Sequence, residues 1–224
     1  MRDLVALAGI AFFIAAGARD LWMHPADPKK AKEYGFLLYA MLVATAYGVA
    51  HDHITATLSP DYFLRWKGLS DDPRPFRWAV TVLAARASLG PGLLAGTTLL
   101  VANHPRRSGV PAPLPYAALL RLSLVPLAAA ATTATVAGLA NSILQFGSAT
   151  AADLLVPPDR IHACAIVWAV HAGSYAGAFL GTIASAVLVV RRRHGNITRS
   201  THRDSVLDGG GIARHEDLPK EERP

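Results

Sequence analysis

Tyr47-Gly48-Val49-Ala50-His51-Asp52-His53-Ile54-Thr55-Ala56-Thr57-Leu58-Ser59-Pro60-Asp61-Tyr62-Phe63 begins within an apolar run and crosses three consecutive ionisable residues before a Ser-Pro break. An ionisable group at membrane depth is costly and usually faces a bundle interior or a wet cavity. The apolar run therefore reads as a spanning helix and His51-Asp52 as the leading functional site. The rest of the 224-residue chain supports that reading, because it is 52% hydrophobic and only 17% charged, with its charges gathered between apolar runs and in the tail. Such a pattern describes an all-α, polytopic membrane bundle.

Five spans are expected. The first, Leu4 to Met23, is long for a signal-peptide core and lacks a clean cleavage pattern at Arg19-Asp20-Leu21. A cleaved signal is the alternative, and would leave four spans. His24 to Glu33 reads as a short basic loop, and the second helix runs from Tyr34 to about Thr57. Ser59-Pro60 is a helix-start signal, and Tyr62, Phe63 and Trp66 beside Arg65 and Lys67 suit either a short helix in the headgroup region or an aromatic-rich loop. The third helix extends from Phe76 or Trp78 to Ala102, with a kink expected at Gly90-Pro91-Gly92. Asn103 to Pro115 is a proline-rich loop.

The fourth helix, Tyr116 to Ala140, is rich in small residues and carries Pro126, and a polar connection follows from Asn141 to Ile161. The fifth, His162 to Val190, ends in Arg191-Arg192-Arg193-His194. Residues 1–194 thus form the bundle, and 195–224 a polar tail expected to be disordered. Basic residues tight against helix ends favour a cytoplasmic C-terminus in a bacterial inner membrane, while the basic residues of the Arg65 to Arg77 loop count against it. The net charge of +6 serves topology and anionic lipid; no zinc-finger spacing or basic-aromatic interleaving points to nucleic acid. Cys164 is alone, so no internal disulfide forms.

At 1.5 Å per residue, Asp52 lies roughly 27 Å up the second helix from Tyr34, His171 roughly 13 Å into the fifth, and Arg86 about 12 Å into the third. All three enter the outer half. Thr45, Gly48, Asp52 and Thr55 share a helical face with His51 beside it, while His53 points away. His171, Ser174 and Tyr175 share another face, so the expected polar site comprises His51, Asp52, Thr55, Arg86, His171, Ser174 and Tyr175. Ala169, Gly173, Gly177, Gly181 and Ser185 recur every four residues as a small-residue packing seam, which could serve a homo-oligomer or a membrane protein partner through Gly173, Gly177 and Gly181.

Tyr47-Gly48-x-x-His51-Asp52-x-x-Thr55 with Asp61-Tyr62-Phe63, and later His171-Ala172-x-Ser174-Tyr175, resembles a family of uncharacterised bacterial integral membrane proteins with HDQxT, EYF and AHxASY motifs. The resemblance covers roughly helices two to five. This chain departs from it at His53, where Gln is usual, at Asp61, where Glu is usual, and at Val170-His171-Ala172-Gly173, where the local residues differ. The resemblance implies a shared site without naming its chemistry.

Four uses fit these residues. His51, Asp52 and His171 offer a ligand set for a transition-metal ion, or for haem, although no HExxH or paired CxxC motif is present. His162 and Cys164 are weaker additions. An Asp beside a His also suits proton or ion handling, but no inverted repeat is visible. A nucleophile-base pair from His171 with Ser174 or Thr55 lacks a G-x-S-x-G elbow. Finally, Asp52 could pair with Arg86 or accept from Tyr175 and Ser174 in a purely structural network.

Overall fold

The computed structural model describes residues 2–104 and 112–209, with side chains described from Leu4 to Gly195 except those of residues 5 and 6. Among these residues every regular element is helical. The helices are α1 (Arg2–Met23), α2 (Lys29–Leu58), α3 (Phe76–Asn103), α4 (Tyr116–Leu122), α5 (Val125–Leu144), α6 (Ser148–Asp153) and α7 (Ile161–Gly209). A π-helical turn, Tyr62–Trp66, and a 3-10 turn, Pro158–Arg160, link them. Four segments among the described residues are long and apolar enough to cross a membrane: Lys29–Leu58, Phe76–Asn103, Tyr116–Leu144 and Pro158–Gly195. The chain is thus a multi-pass membrane bundle, and among the described residues the count is four where five were expected. The remaining helix, α1, packs along α2.

Two antiparallel pairs, α2 with α3 and α5 with α7, make up the bundle, and α3 against α7 joins them. Small residues draw each pair together. A Cβ at Gly92 would lie 2.8 Å from Met41 Cα, so Gly92 serves the approach of α3 to α2, whereas a Cβ at Gly90 would have nothing within 4 Å, and the helix continues through Pro91. Gly173, Gly177 and Gly181 meet α5 in the same manner: added Cβ atoms would lie 2.6 Å from Thr133 O, 2.5 Å from Ala129 O and 2.7 Å from Pro126 Cα. The seam is spent within the chain, on the α5 backbone.

Pro126 divides the helix expected from Tyr116 to Ala140 into α4 and α5. Its ring nitrogen cannot bond the carbonyl four residues earlier, on Leu122. Ser185, fully buried on α7, donates its hydroxyl to that oxygen at 3.0 Å and satisfies the group that Pro126 leaves free. The basic loop also proves shorter than expected, since Lys29, Lys30 and Lys32 belong to the first turn of α2. Asp20 at the end of α1 accepts from Ala31 N at 3.0 Å and caps that turn. At the far end, Arg193 donates to Ala102 O at 2.8 Å and His104 O at 3.0 Å, satisfying terminal carbonyls of α3. The α7 helix runs on to Gly209, whereas residues 210–224 of the expected tail and 105–111 of the proline-rich loop lie outside the described residues.

Two apolar cores close the ends of the bundle. One gathers Tyr62, Phe63, Val80, Cys164 and Val167; the other gathers Phe36, Leu99, Leu119, Leu122 and Val189. The Tyr62–Trp66 turn corrects the headgroup-helix expectation. Tyr62 and Phe63 are 2% and 0% exposed, so the turn tucks its aromatic rings into the bundle. Asp61 holds it there, with its carboxylate 3.2 Å from Arg160 Nη1 and 3.6 Å from Arg65 Nε.

Candidate functional site

Between the two cores, α2, α3, α5 and α7 enclose a cavity of about 70 Å³ into which His51, Asp52 and His171 converge. One ligand atom from each lies within 4.8 Å of the other two. Asp52 and His171 are 8% and 4% exposed, so neither relies on bulk solvent. The helical spacing accounts for this: Gly48 and Asp52 fall on the same buried face of α2, and His171 and Ser174 on that of α7.

The hydrogen bonds determine which atoms are free to act. Thr55 Oγ1 donates its single proton back to the helix, to His51 O at 3.0 Å or Asp52 O at 3.2 Å. When it does so, the same oxygen accepts from His171 Nε2, 3.2 Å away. In that tautomer the neutral imidazole carries its proton on Nε2 and a lone pair on Nδ1. Nδ1 in turn faces Asp52 Oδ1 at 3.9 Å, too far for a hydrogen bond. Two electron-pair donors thus look at one another across a gap. His51 Nε2 is buried beside them with no hydrogen-bond partner.

Aromatic rings hold the imidazoles in place. Tyr62 stacks on His171 at 4.7 Å between centroids and Phe63 meets it edge-on at 5.7 Å. Tyr47 stacks on His51 at 5.6 Å, and the two imidazoles are perpendicular at 4.8 Å. Lys67 Nζ lies 5.4 Å over the Tyr62 ring. Burial pushes the Lys67 ammonium below its ordinary range, against the opposing pull of the Asp52 charge. Burial likewise pushes the Tyr62 hydroxyl well above the usual tyrosine range.

Of the seven residues expected in the polar site, the structure brings five together around the cavity. His51, Asp52, Thr55 and His171 form its centre, and Ser174 bonds Tyr47 Oη at 3.0 Å, tying α7 to α2. Tyr175 is half exposed at the cavity margin. Arg86 stands apart: it is exposed, it does not line the cavity, and its charge acts on Asp72. His53 points away as expected and bonds Thr81 Oγ1 at 2.9 Å. His162 is exposed, and Cys164 is buried in the adjoining apolar core. Tyr62 and Phe63 fall within the leading stretch and its motif but not among the expected polar-site residues, since their rings carry no charge; their place just after Ser59-Pro60-Asp61 is the signal that could have added them.

No protein-family model, curated protein or solved structure matches this chain.

Proposed function

We propose that this multi-pass membrane protein holds a single transition-metal ion between His51 Nε2, an Asp52 carboxylate oxygen and His171 Nδ1. The observation that carries the proposal is the convergence of His51, Asp52 and His171 ligand atoms within 4.8 Å of one another, with His171 Nδ1 facing Asp52 Oδ1 at 3.9 Å, both acceptors when Nε2 holds its proton toward Thr55. Two lone pairs directed at one another in a low-dielectric interior call for a cation between them. Thr55 plays the outer part that metal-bound imidazoles usually require, a fixed partner on the other ring nitrogen. Ligand atoms in a tetrahedral site at 2.0–2.1 Å from the ion stand roughly 3.3 Å apart, so the set closes by small side-chain rotations.

Two imidazoles and one carboxylate suit zinc, iron or copper, with one position left for water or substrate. Ser174 bonds Tyr47 and makes no hydrogen bond to His171, which disfavours a serine nucleophile. If the cation between the acceptors were a proton, the protein would handle protons. With four spans, Lys29, Lys30 and Lys32 share one face with Arg191, Arg192 and Arg193; as the cytoplasmic face of a bacterial inner membrane, it places the site in the outer half.

Elemental analysis of the detergent-purified protein beside His171→Ala tests the proposal. One equivalent of metal in the wild type and its loss in a folded variant is the expected result. A metal-free wild type overturns the metal reading.

A further inference from the structure

The core is not packed throughout. Below the His51/Asp52/His171 cavity lies a second one, of about 590 Å³, almost wholly apolar. The two share Ala44, Pro91, Leu127, Tyr175 and Ala178 in their linings, so a polar space adjoins an apolar one across those side chains. Leu94, Phe179 and Ile183 border the larger cavity and are exposed on the outside of the bundle, where the bilayer lies. We infer that this pair of spaces binds one single-chain lipid from the bilayer, with an oxygen-bearing headgroup at His51, Asp52 and His171 and its hydrocarbon chain in the apolar cavity. The inference rests on the site proposed above and names its ligand class.

Three observations support that occupant. An apolar cavity gives water no partners, so hydrocarbon suits it better than solvent. Its volume falls within the range of a site for one small ligand, about 300–1,000 Å³. The dimensions also match a lipid lying parallel to its neighbours. Ile183 is twelve residues beyond His171 along α7, and Ala40 twelve before Asp52 along α2, each roughly 18 Å at 1.5 Å per residue. One leaflet of a hydrocarbon core of about 30 Å is about 15 Å deep. The polar site lies near the membrane surface end of α2 and the apolar cavity toward the midplane, in the order of a lipid's own head and tail.

The position left open in the metal's coordination would take the headgroup oxygen. Tyr175, lining both cavities, stands where head and chain would meet.

Photolabelling with stearic acid carrying a diazirine at its methyl end, on wild-type protein in nanodiscs, tests the inference. The expected result is one saturable adduct per chain, on peptides containing Thr98 or Ile183, displaced by excess stearate but not by octadecane. Ala178→Trp, in both linings, should abolish labelling. Ala95→Phe, at the far end, should shift competition toward dodecanoate, a change in chain-length preference that a loss of folding would not produce. Unsaturable labelling, or equal displacement by octadecane, means that bulk lipid merely fills a groove and overturns the inference. Metal content measured on the same samples separates the two proposals. Saturable labelling of metal-free protein sinks the metal alone, and unsaturable labelling of metal-loaded protein sinks the lipid alone.

Discussion

Gly177→Ala adds one methyl group where α7 lies closest to α5, and its cost can be worked from the geometry. The new Cβ would collide with Thr133 Oγ1 and stand 2.5 Å from Ala129 O and 2.8 Å from Ala129 C. Two of those three neighbours are backbone atoms of a helix, so rotating a side chain cannot relieve the clash. Thr133 also has a task to lose, because its hydroxyl lies 2.6 Å from Gly173 O. Overpacking of this kind costs about 1–3 kcal/mol, and a lost hydrogen bond about 1 kcal/mol. A helix gains up to about 1 kcal/mol when glycine becomes alanine, which offsets part of this. The net loss is therefore about 2 kcal/mol, or roughly 4–8 °C in Tm for a chain of this size. Gly35→Ala is the control: nothing lies within 4 Å of its added Cβ, so only the propensity gain remains and Tm should hold or rise. Cys164, buried and the only cysteine, reports both transitions through a thiol-reactive dye in a detergent melt. A Gly177→Ala protein melting at or above wild type would refute the seam.

The same melt applies to Ser185→Ala, which leaves the Leu122 carbonyl buried without its donor and should cost about 1–3 kcal/mol. Tyr62→Ala removes a fully buried ring from the face of His171 and should cost about 3–5 kcal/mol, with reduced metal occupancy in whatever remains folded. Tyr62→Phe should keep both, because the stacking ring is retained; loss of metal in Tyr62→Phe would count against stacking as the tyrosine's role. At the turn before α3, hydrogen bonds from Arg74 hold the Asp72 carboxyl down at about 2. A lowered folded-state value stabilises the turn above the ordinary carboxylate range, and that support fades as pH falls from about 4 to about 2. A carboxyl-carbon NMR titration of Asp72 should find its midpoint near 2 in the wild type and raised toward, but still below, the ordinary value in Arg74→Ala, which keeps the backbone N–H bond to Asp72 Oδ1.

Periodicity made the helices and their facing surfaces legible. The four-residue recurrence of Gly173, Gly177 and Gly181 marked a seam, and the spacing of Gly48, Asp52 and Thr55 marked a buried face. Position along a helix does not settle what lies across from it. Arg86 has the right depth to meet Asp52, yet rotation about α3 turns it outward, toward the Asp72 turn. Tyr62 and Phe63 carry an interfacial composition, but the π-helical turn directs their rings inward, a choice made by long-range contacts with α7. Pro126 signalled a distortion; that it would divide the helix, with Ser185 accepting the consequence, depends on a partner 59 residues away in sequence, from 126 to 185.

X-ray absorption at the metal edge of the purified protein reads the ligand set of the ion itself. The account expects a first shell of two imidazole nitrogens at about 2.0–2.1 Å and a carboxylate oxygen at about 2.0–2.2 Å, with one imidazole lost in His51→Ala and the carboxylate oxygen lost in Asp52→Ala. A first shell without imidazole, or one unchanged in both variants, would contradict it.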